Sequence, residues 1–314
     1  MSIYVSIASY EDPFLARTIK SCLDNADNPD DIYFGIATFY EKVEKPDISF
    51  VHPDKIICLE SSVSNRPGLQ KTRSVLRMLM RDHDYFLQID SHSFFLKGWD
   101  TNLINDLQEL KDLTHEKVIL SKYLSTDLGH YNKETIYKWQ IGTASPNPQM
   151  KRLGLDWYTE VEGHEEHKIL NKFYKAEMMA GGFIFCDKNF IKEQRYNGLS
   201  EMLMEETYDS FIAYLMGYDI YYTKHFNNIS HDNVDYNQIV YGEKHVLNKS
   251  LSSEVASDSL EASQEMYYNF FFNDSLYFKV LNAKRTPYSW WKELGFEQFY
   301  LEKVKNIVRH NFEK

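Results

Sequence analysis

Cysteine is scarce: the 314-residue chain has three, at positions 22, 58 and 186. Their spacing fits no thiolate metal site, redox pair or disulfide framework, so all three read as reduced core residues. A basic excess is also missing. Lys and Arg number 35 against 46 Asp and Glu, a formal charge of −11, which argues against coating nucleic acid or anionic lipid through a global basic field while leaving room for a local basic pocket. No window reaches the apolar length of a membrane span. The start, MSIYVSIASYEDPF, has no basic segment leading into a long apolar run and a small-residue cleavage site. These absences predict a soluble, cytoplasmic protein. Internal repeats and low-complexity tracts are lacking too.

What is present suits an ordinary globular core of one large or two modest domains: 43% of residues are hydrophobic and 26% charged. Aromatics reach 15%, which serves a ring-lined cleft for a sugar or base as well as an aromatic core. Residues 3–9 read as a strand, 10–13 as a polar turn and 14–25 as a helix. Strand-like runs follow at 32–39 and 55–59, a helical pattern at 72–80, and a compact strand at 85–89 that ends at Asp90. The alternation predicts an α/β sheet with a parallel core. Further on, 140–150 reads as a surface loop, 180–186 as a buried strand with two glycines at its start, 201–216 as a helix and 219–223 as a strand. Residues 251–264 form a Ser- and acid-rich joint, and the more helical, aromatic tail from 265 is expected to pack back on the main body.

Ligands of open α/β sheets collect beyond the carboxyl ends of the strands, which draws attention to Asp90-Ser91-His92. In extended geometry Asp90 and His92 would face the same side, offering a carboxylate oxygen and an imidazole nitrogen to one divalent ion, with Mn²⁺ well suited. The competing reading is a turn or helix cap at Asp90 beside a partly exposed His92. His231-Asp232 could return a third ligand to this edge, or be a loop pair; His164 and His167 lack the zinc-protease spacing and read as a solvated polar face. Arg66, Lys71, Arg73 and Arg77 cluster around a helix start, where Arg66 and Arg73 could pair with phosphate or orient an acid, or serve as ordinary surface charges. Gly181 and Gly182 permit close backbone approach to a ligand or simply form a turn. Glu205 and Glu206 diverge by about 100° on a helix, so only one need face a cleft.

Taken together and in order, IYVSIASYEDP, NPDDIYFGI, RPGLQKTR, YFLQIDSHSFFLKGWD, MMAGGFIF, MEETYDSFIAYLMGYDIYY, SHD and KRT resemble the cytoplasmic polypeptide N-acetylglucosaminyltransferases that attach α-linked GlcNAc to hydroxyproline on a ubiquitin-ligase adaptor, with their bacterial and viral relatives. The similarity runs over most of residues 3–286. It implies a GT-A fold with a Rossmann-like mixed sheet; with the joint and tail read from the residues, this gives a catalytic domain over 1–250, the joint at 251–264, and a helical, aromatic extension over 265–314 packed on that domain. It also implies a nucleotide-sugar donor, expected to be a UDP-sugar, and a divalent metal, Mn²⁺ or Mg²⁺, on a variant Asp-x-Asp motif formed by Asp90 and His92 and completed by His231. By the same resemblance Ser9, Tyr10 and Asp12 meet the nucleoside, Arg66 and Arg73 lie near the nucleotide, and Gly181 and Gly182 border the donor. Glu205 and Glu206 match the acidic pair near acceptor and donor sugar, with Glu206 or Asp232 orienting the sugar. Two departures stand out: Glu11 where the family commonly has a basic residue, and MAGG where it commonly has a bulky residue followed by Ser-Ala-Gly.

The activity implied is retaining transfer of a sugar to a hydroxyl, on a polypeptide or, in a virus-type alternative, on a hydroxymethylated pyrimidine of DNA. Two readings of other classes stand beside it: a non-catalytic nucleotide-sugar or carbohydrate-binding module, and a metal hydrolase built on Asp90, His92 and His231.

Overall fold

The structure, a computed structural model, describes residues 1–65, 69–114, 117–122, 124, 134–141, 155–162, 173–194, 205–223, 229–231, 271–272 and 283–312. The first strand, β1 (Ile3–Tyr10), shows why a sheet with two covered faces forms. Its alternate residues Ile3, Val5 and Ile7 enter one core with Leu15, Ile19 and Cys22 of helix α1 (Leu15–Asn25), while Tyr4 enters the opposite core with Phe86. On α1 those three positions recur at helical spacing, and each large aliphatic side chain buried there contributes about 1.5–3 kcal/mol.

The chain continues through β2 (Ile32–Phe39), β3 (Ile56–Ser61), α2 (Leu69–Met78), β4 (Tyr85–Asp90), β5 (Ser93–Phe95), α3 (Trp99–Thr114) and β6 (Lys117–Ser121). Then come β7 (Glu134–Ile141), β8 (Leu155–Glu162), β9 (Tyr174–Ala176), β10 (Phe183–Asp187), α4 (Lys188–Glu193), α5 (Glu205–Leu215), β11 (Tyr218–Tyr222) and β12 (Ile229–His231). Two helices, α6 (Pro287–Glu293) and α7 (Glu297–Phe312), follow. Among the described residues an eight-stranded sheet has the order β3-β2-β1-β4-β10-β6-β11-β9. Strands β3, β2, β1 and β4 are parallel, as the alternation predicts. The remaining strands make the sheet mixed, as the GT-A resemblance implies, and amend only the parallel core read from the alternation, because β10 is antiparallel to both β4 and β6, and β9 to β11.

Two other sequence expectations need correction. The strand expected over 180–186 begins at Phe183, since Gly181 and Gly182 form a turn before it. Cys22 and Cys186 are buried, but Cys58 is only half-buried, because β3 is the sheet's edge and leaves Leu59 exposed. The described part of the tail does pack inward: Trp290 stands edge-on to Phe211 of α5 at 5.0 Å, and the Trp291 indole donates to the Phe271 carbonyl at 3.0 Å. Thr286 and Ser289 cap α6 reciprocally, which fixes where that helix starts. The proposed joint at 251–264 lies outside the described residues, as do His164, His167 and most of the loop expected at 140–150.

Backbone contact with a ring explains one glycine. A Cβ on Gly35 would lie 1.7 Å from the Tyr4 hydroxyl oxygen and 2.3 Å from its Cζ, in a ring whose hydroxyl donates to the Leu76 carbonyl at 2.9 Å. Gly35→Ala is therefore expected to lower the unfolding free energy by about 1–3 kcal/mol, the range for overpacking a core, in a urea titration. Adding Tyr4→Phe should not restore it, because Cζ remains in the way.

Candidate active site

Strand β4 carries side chains of opposite character on its two faces. Leu87 and Ile89 enter the core shared with α1 and α3, while Gln88 and Asp90 meet charged residues of α2. On α2, Gln70, Arg73 and Arg77 recur at three- and four-residue spacing, so one helical stripe sits against the sheet although it is polar. Arg73 Nη2 donates to Asp90 Oδ1 at 2.6 Å, and Arg77 Nη2 donates to Gln88 Oε1 at 2.9 Å. Arg73 is thus engaged in orienting an acid, one of the two roles its position allowed.

Asp90 does not continue into an extended segment. The chain turns at Ser91 and His92 before β5, and Ser93 Oγ closes the turn by donating to the Asp90 carbonyl at 2.8 Å. Asp12 holds the turn from the other side. Its Oδ2 accepts from Ser91 Oγ at 2.6 Å and from His92 Nδ1 at 2.8 Å, while Oδ1 accepts from the Phe14 amide at 2.9 Å. Thr18 of α1 also donates to the Ser91 carbonyl at 2.7 Å. A carboxylate can only accept, so Nδ1 carries a proton, and in the tautomer this selects the lone pair lies on Nε2. That nitrogen faces Asp90 Oδ2 at 3.9 Å. The turn thereby does what an extended strand was expected to do, bringing an oxygen and a nitrogen donor together.

The third expected ligand comes back to the same edge through the backbone. Strand β12 pairs antiparallel with β5, with His231 opposite Ser93, the residue after His92. Asp232 and Arg66 lie outside the described residues. Among the described residues no group of three metal-ligating side chains is assembled. The donor pair that is present, a carboxylate oriented by Arg73 and an imidazole oriented by a second carboxylate, fits an oxygen- and nitrogen-liganded divalent ion such as Mn²⁺ or Mg²⁺.

Ser9 and Tyr10 end β1 beside this edge. Tyr40, whose phenol burial pushes above its ordinary pKa, donates to the Asp12 carbonyl, so the Ser9 hydroxyl, 2.8 Å away, donates to Tyr40. Gly181 and Gly182 reach the edge from β10, whose Phe183 stands opposite Ile89. Their turn is pinned at successive atoms. Ser210 Oγ accepts from the Met179 amide at 2.8 Å, Ser121 Oγ from the Ala180 amide at 2.9 Å and Glu206 Oε1 from the Gly181 amide at 2.8 Å. Gln88 Nε2 donates to the Gly181 carbonyl at 2.9 Å. Two expected site elements, Glu206 and the glycine pair, therefore meet; Glu205 stands at the first position of α5.

Behind them lies a network that sequence reasoning missed. Arg77 Nη2 also donates to Asp209 Oδ2 at 2.6 Å, and its Nη1 to Gln194 Oε1 at 2.9 Å, with Gln194 returning a bond to Asp209 Oδ1 at 3.1 Å. The available signal was the polar stripe of α2 matched to alternate residues of β4, together with an aspartate on the helix over 205–215, just before the apolar run 211–216.

The eight-stranded mixed sheet has the architecture of the GT-A glycosyltransferase fold. The profile of the family described as Glycosyltransferase (GlcNAc) matches residues 2–75 and 55–231, and the chain belongs to that family. No curated protein matches by sequence. Among solved structures the fold is similar to the crystal structure of GalNAc-T7 with UDP, GalNAc and Mn²⁺, with a TM-score of 0.55 and 14% identity over 74% of this chain and 44% of that one. No described helix is long and apolar enough to cross a membrane.

Proposed function

We propose that this protein transfers a sugar from a UDP-sugar to a hydroxyl group in a divalent-metal-dependent reaction, with Asp90, His92 and His231 as the protein ligands. The observation that carries the reading is the Asp90–His92 donor pair, each member oriented by its own charged partner, at the carboxyl end of β4 in a chain of this family. The Mn²⁺ and UDP bound by the structurally similar GalNAc-T7 support the donor class. A divalent ion bound there supplies positive charge against the diphosphate leaving group.

The chain's own residues position and exclude. Asp12 keeps the His92 lone pair on Nε2, and Arg73 keeps the Asp90 carboxylate turned toward it. Glu206 holds the Gly181 turn against the same edge, so that backbone can lie close to a sugar ring. Ser9 and Tyr10, with Arg66, flank the nucleotide, and Glu205 and Asp232 serve the sugar and acceptor. In the retaining course the acceptor oxygen bonds to the anomeric carbon as the bond to the β-phosphate oxygen breaks, and the acceptor proton passes to that departing oxygen. No enzymic base is needed behind the sugar. The acceptor favoured by the resemblance is a polypeptide hydroxyl, hydroxyproline above all, met in the cytoplasm.

Thermal melting with UDP and other nucleoside diphosphates, each with and without Mn²⁺, tests the reading. A ligand bound only by the native state raises the melting temperature, and the expected result is a shift for UDP that requires the metal, together with slow UDP release from a UDP-sugar. Absence of both overturns the proposal. Binding without turnover points to the non-catalytic module, and transfer to hydroxymethylpyrimidine DNA rather than hydroxyproline peptides reassigns the acceptor.

A further inference from the structure

Glu11 is the only non-glycine among the described residues with a positive φ, at 48°. A side chain in that left-handed region costs about 1–3 kcal/mol and persists where its surroundings over-determine it. Here the surroundings are a nest of amides. The Glu11 carboxylate, 8% exposed as a residue, accepts from the backbone of three consecutive residues after β2: Glu41 at 3.0 Å, Lys42 at 3.0 and 3.2 Å, and Val43 at 2.7 Å. Its own amide donates to the Phe39 carbonyl at 3.0 Å. Consecutive amides aimed at one carboxylate are a strong anion seat, and this one is filled from within the chain.

The consequence falls on the next residue. Asp12 follows the reversal at Glu11, its carbonyl is held by Tyr40 of the same loop, and its carboxylate reaches Ser91 and His92. The loop after β2 therefore grips the chain on both sides of the Asp12 α-carbon, and Asp12 fixes which nitrogen of His92 carries the proton. We propose that Glu11 is a positioning residue, which through Asp12 sets the tautomer and aim of His92 and so the affinity of this edge for a divalent cation. The cation half of this inference rests on the metal reading above; the tautomer half does not.

The test uses the full chain with Glu11→Gln, which keeps the length of the side chain but turns part of its acceptor into a donor facing amides. Nitrogen-15 NMR of the imidazoles, at a pH of about 8 where an ordinary histidine is neutral, should show His92 protonated at Nδ1 in the wild type. The variant should shift toward the Nε2-protonated form. Mn²⁺ affinity, measured by electron paramagnetic resonance of the ion itself, should fall about tenfold or more, as for loss of other partners that orient a ligating histidine. A purely structural role would lower the melting temperature and leave both readouts of the folded protein unchanged, which overturns the proposal. Glu11→Gly, suited to the left-handed backbone, decides the matter if the glutamine variant fails to fold: retention of the Nδ1 proton and of Mn²⁺ affinity in it equally overturns the role of the carboxylate. Wild-type protein that binds no Mn²⁺ removes the metal reading alone, while the His92 tautomer in the two variants still decides whether Glu11 positions it.

Discussion

Asp90→Asn is expected to lower UDP-sugar turnover about a thousandfold while the protein stays folded. A bound divalent ion would contribute several kcal/mol to stabilising charge on a leaving diphosphate, the anionic ligand is what would hold that ion in place, and about 1.4 kcal/mol corresponds to each tenfold in rate. Asparagine keeps the shape of the side chain and can still accept from Arg73, but it removes the charge that faces His92 Nε2 at 3.9 Å. The stability cost should be small by comparison. Arg73 is only 6% exposed, whereas the Asp90 side chain is 26% exposed, so water reaches the pair and its loss costs about 1–2 kcal/mol rather than the 3–5 kcal/mol of a fully buried pair. Steady-state UDP release beside thermal melting separates the two effects. An unchanged Mn²⁺-dependent shift with UDP in this variant would contradict the ligand role.

The sequence made this edge legible because its signals are local. Short apolar runs at 3–9 and 85–89, a polar break at Asp90 and helical spacing in α1 are each contained within a dozen residues, and the structure reproduces their elements to within a residue or two. What escaped depends on pairing between distant segments. Nothing in AGGFIFC says that β10 enters antiparallel between β4 and β6, because the hydrophobic run of a buried strand is the same in either direction. The geometry at Asp90 and His92 was expected from an extended segment and is produced by a turn, since Asp12 and Thr18, over seventy residues earlier, supply the bonds that close it. Glu11 stood out only as a departure from the family pattern. Its carboxylate has a reason once the amides of residues 41–43 are in place, a contact thirty residues away in sequence.

The same non-local logic governs the second large effect, at Arg77 and Asp209, 132 residues apart. Their side chains are 11% and 3% exposed, so removing either leaves the other charge largely shut away from water. Arg77→Ala and Asp209→Ala are each expected to lower the unfolding free energy by about 3–5 kcal/mol. Replacing both with apolar residues of similar volume, Arg77→Met with Asp209→Leu, should cost far less than the sum of the single changes, because no uncompensated charge remains. Urea unfolding of the two singles and the double measures that coupling. Stability and activity should then part company. Arg77 also holds Gln88, Gln88 holds the Gly181 carbonyl, and Glu206 holds the Gly181 amide, so a double variant that folds well still loses a fixed point behind the glycine turn. Turnover of the UDP-sugar in it is expected to fall about tenfold, the order of one lost orienting contact, with Mn²⁺ affinity unchanged. Additive single effects on stability would mean that the pair is not coupled. Undiminished turnover in the double variant would mean that the turn is aimed by Ser121, Ser210 and Glu206 without help from the charged network beneath it.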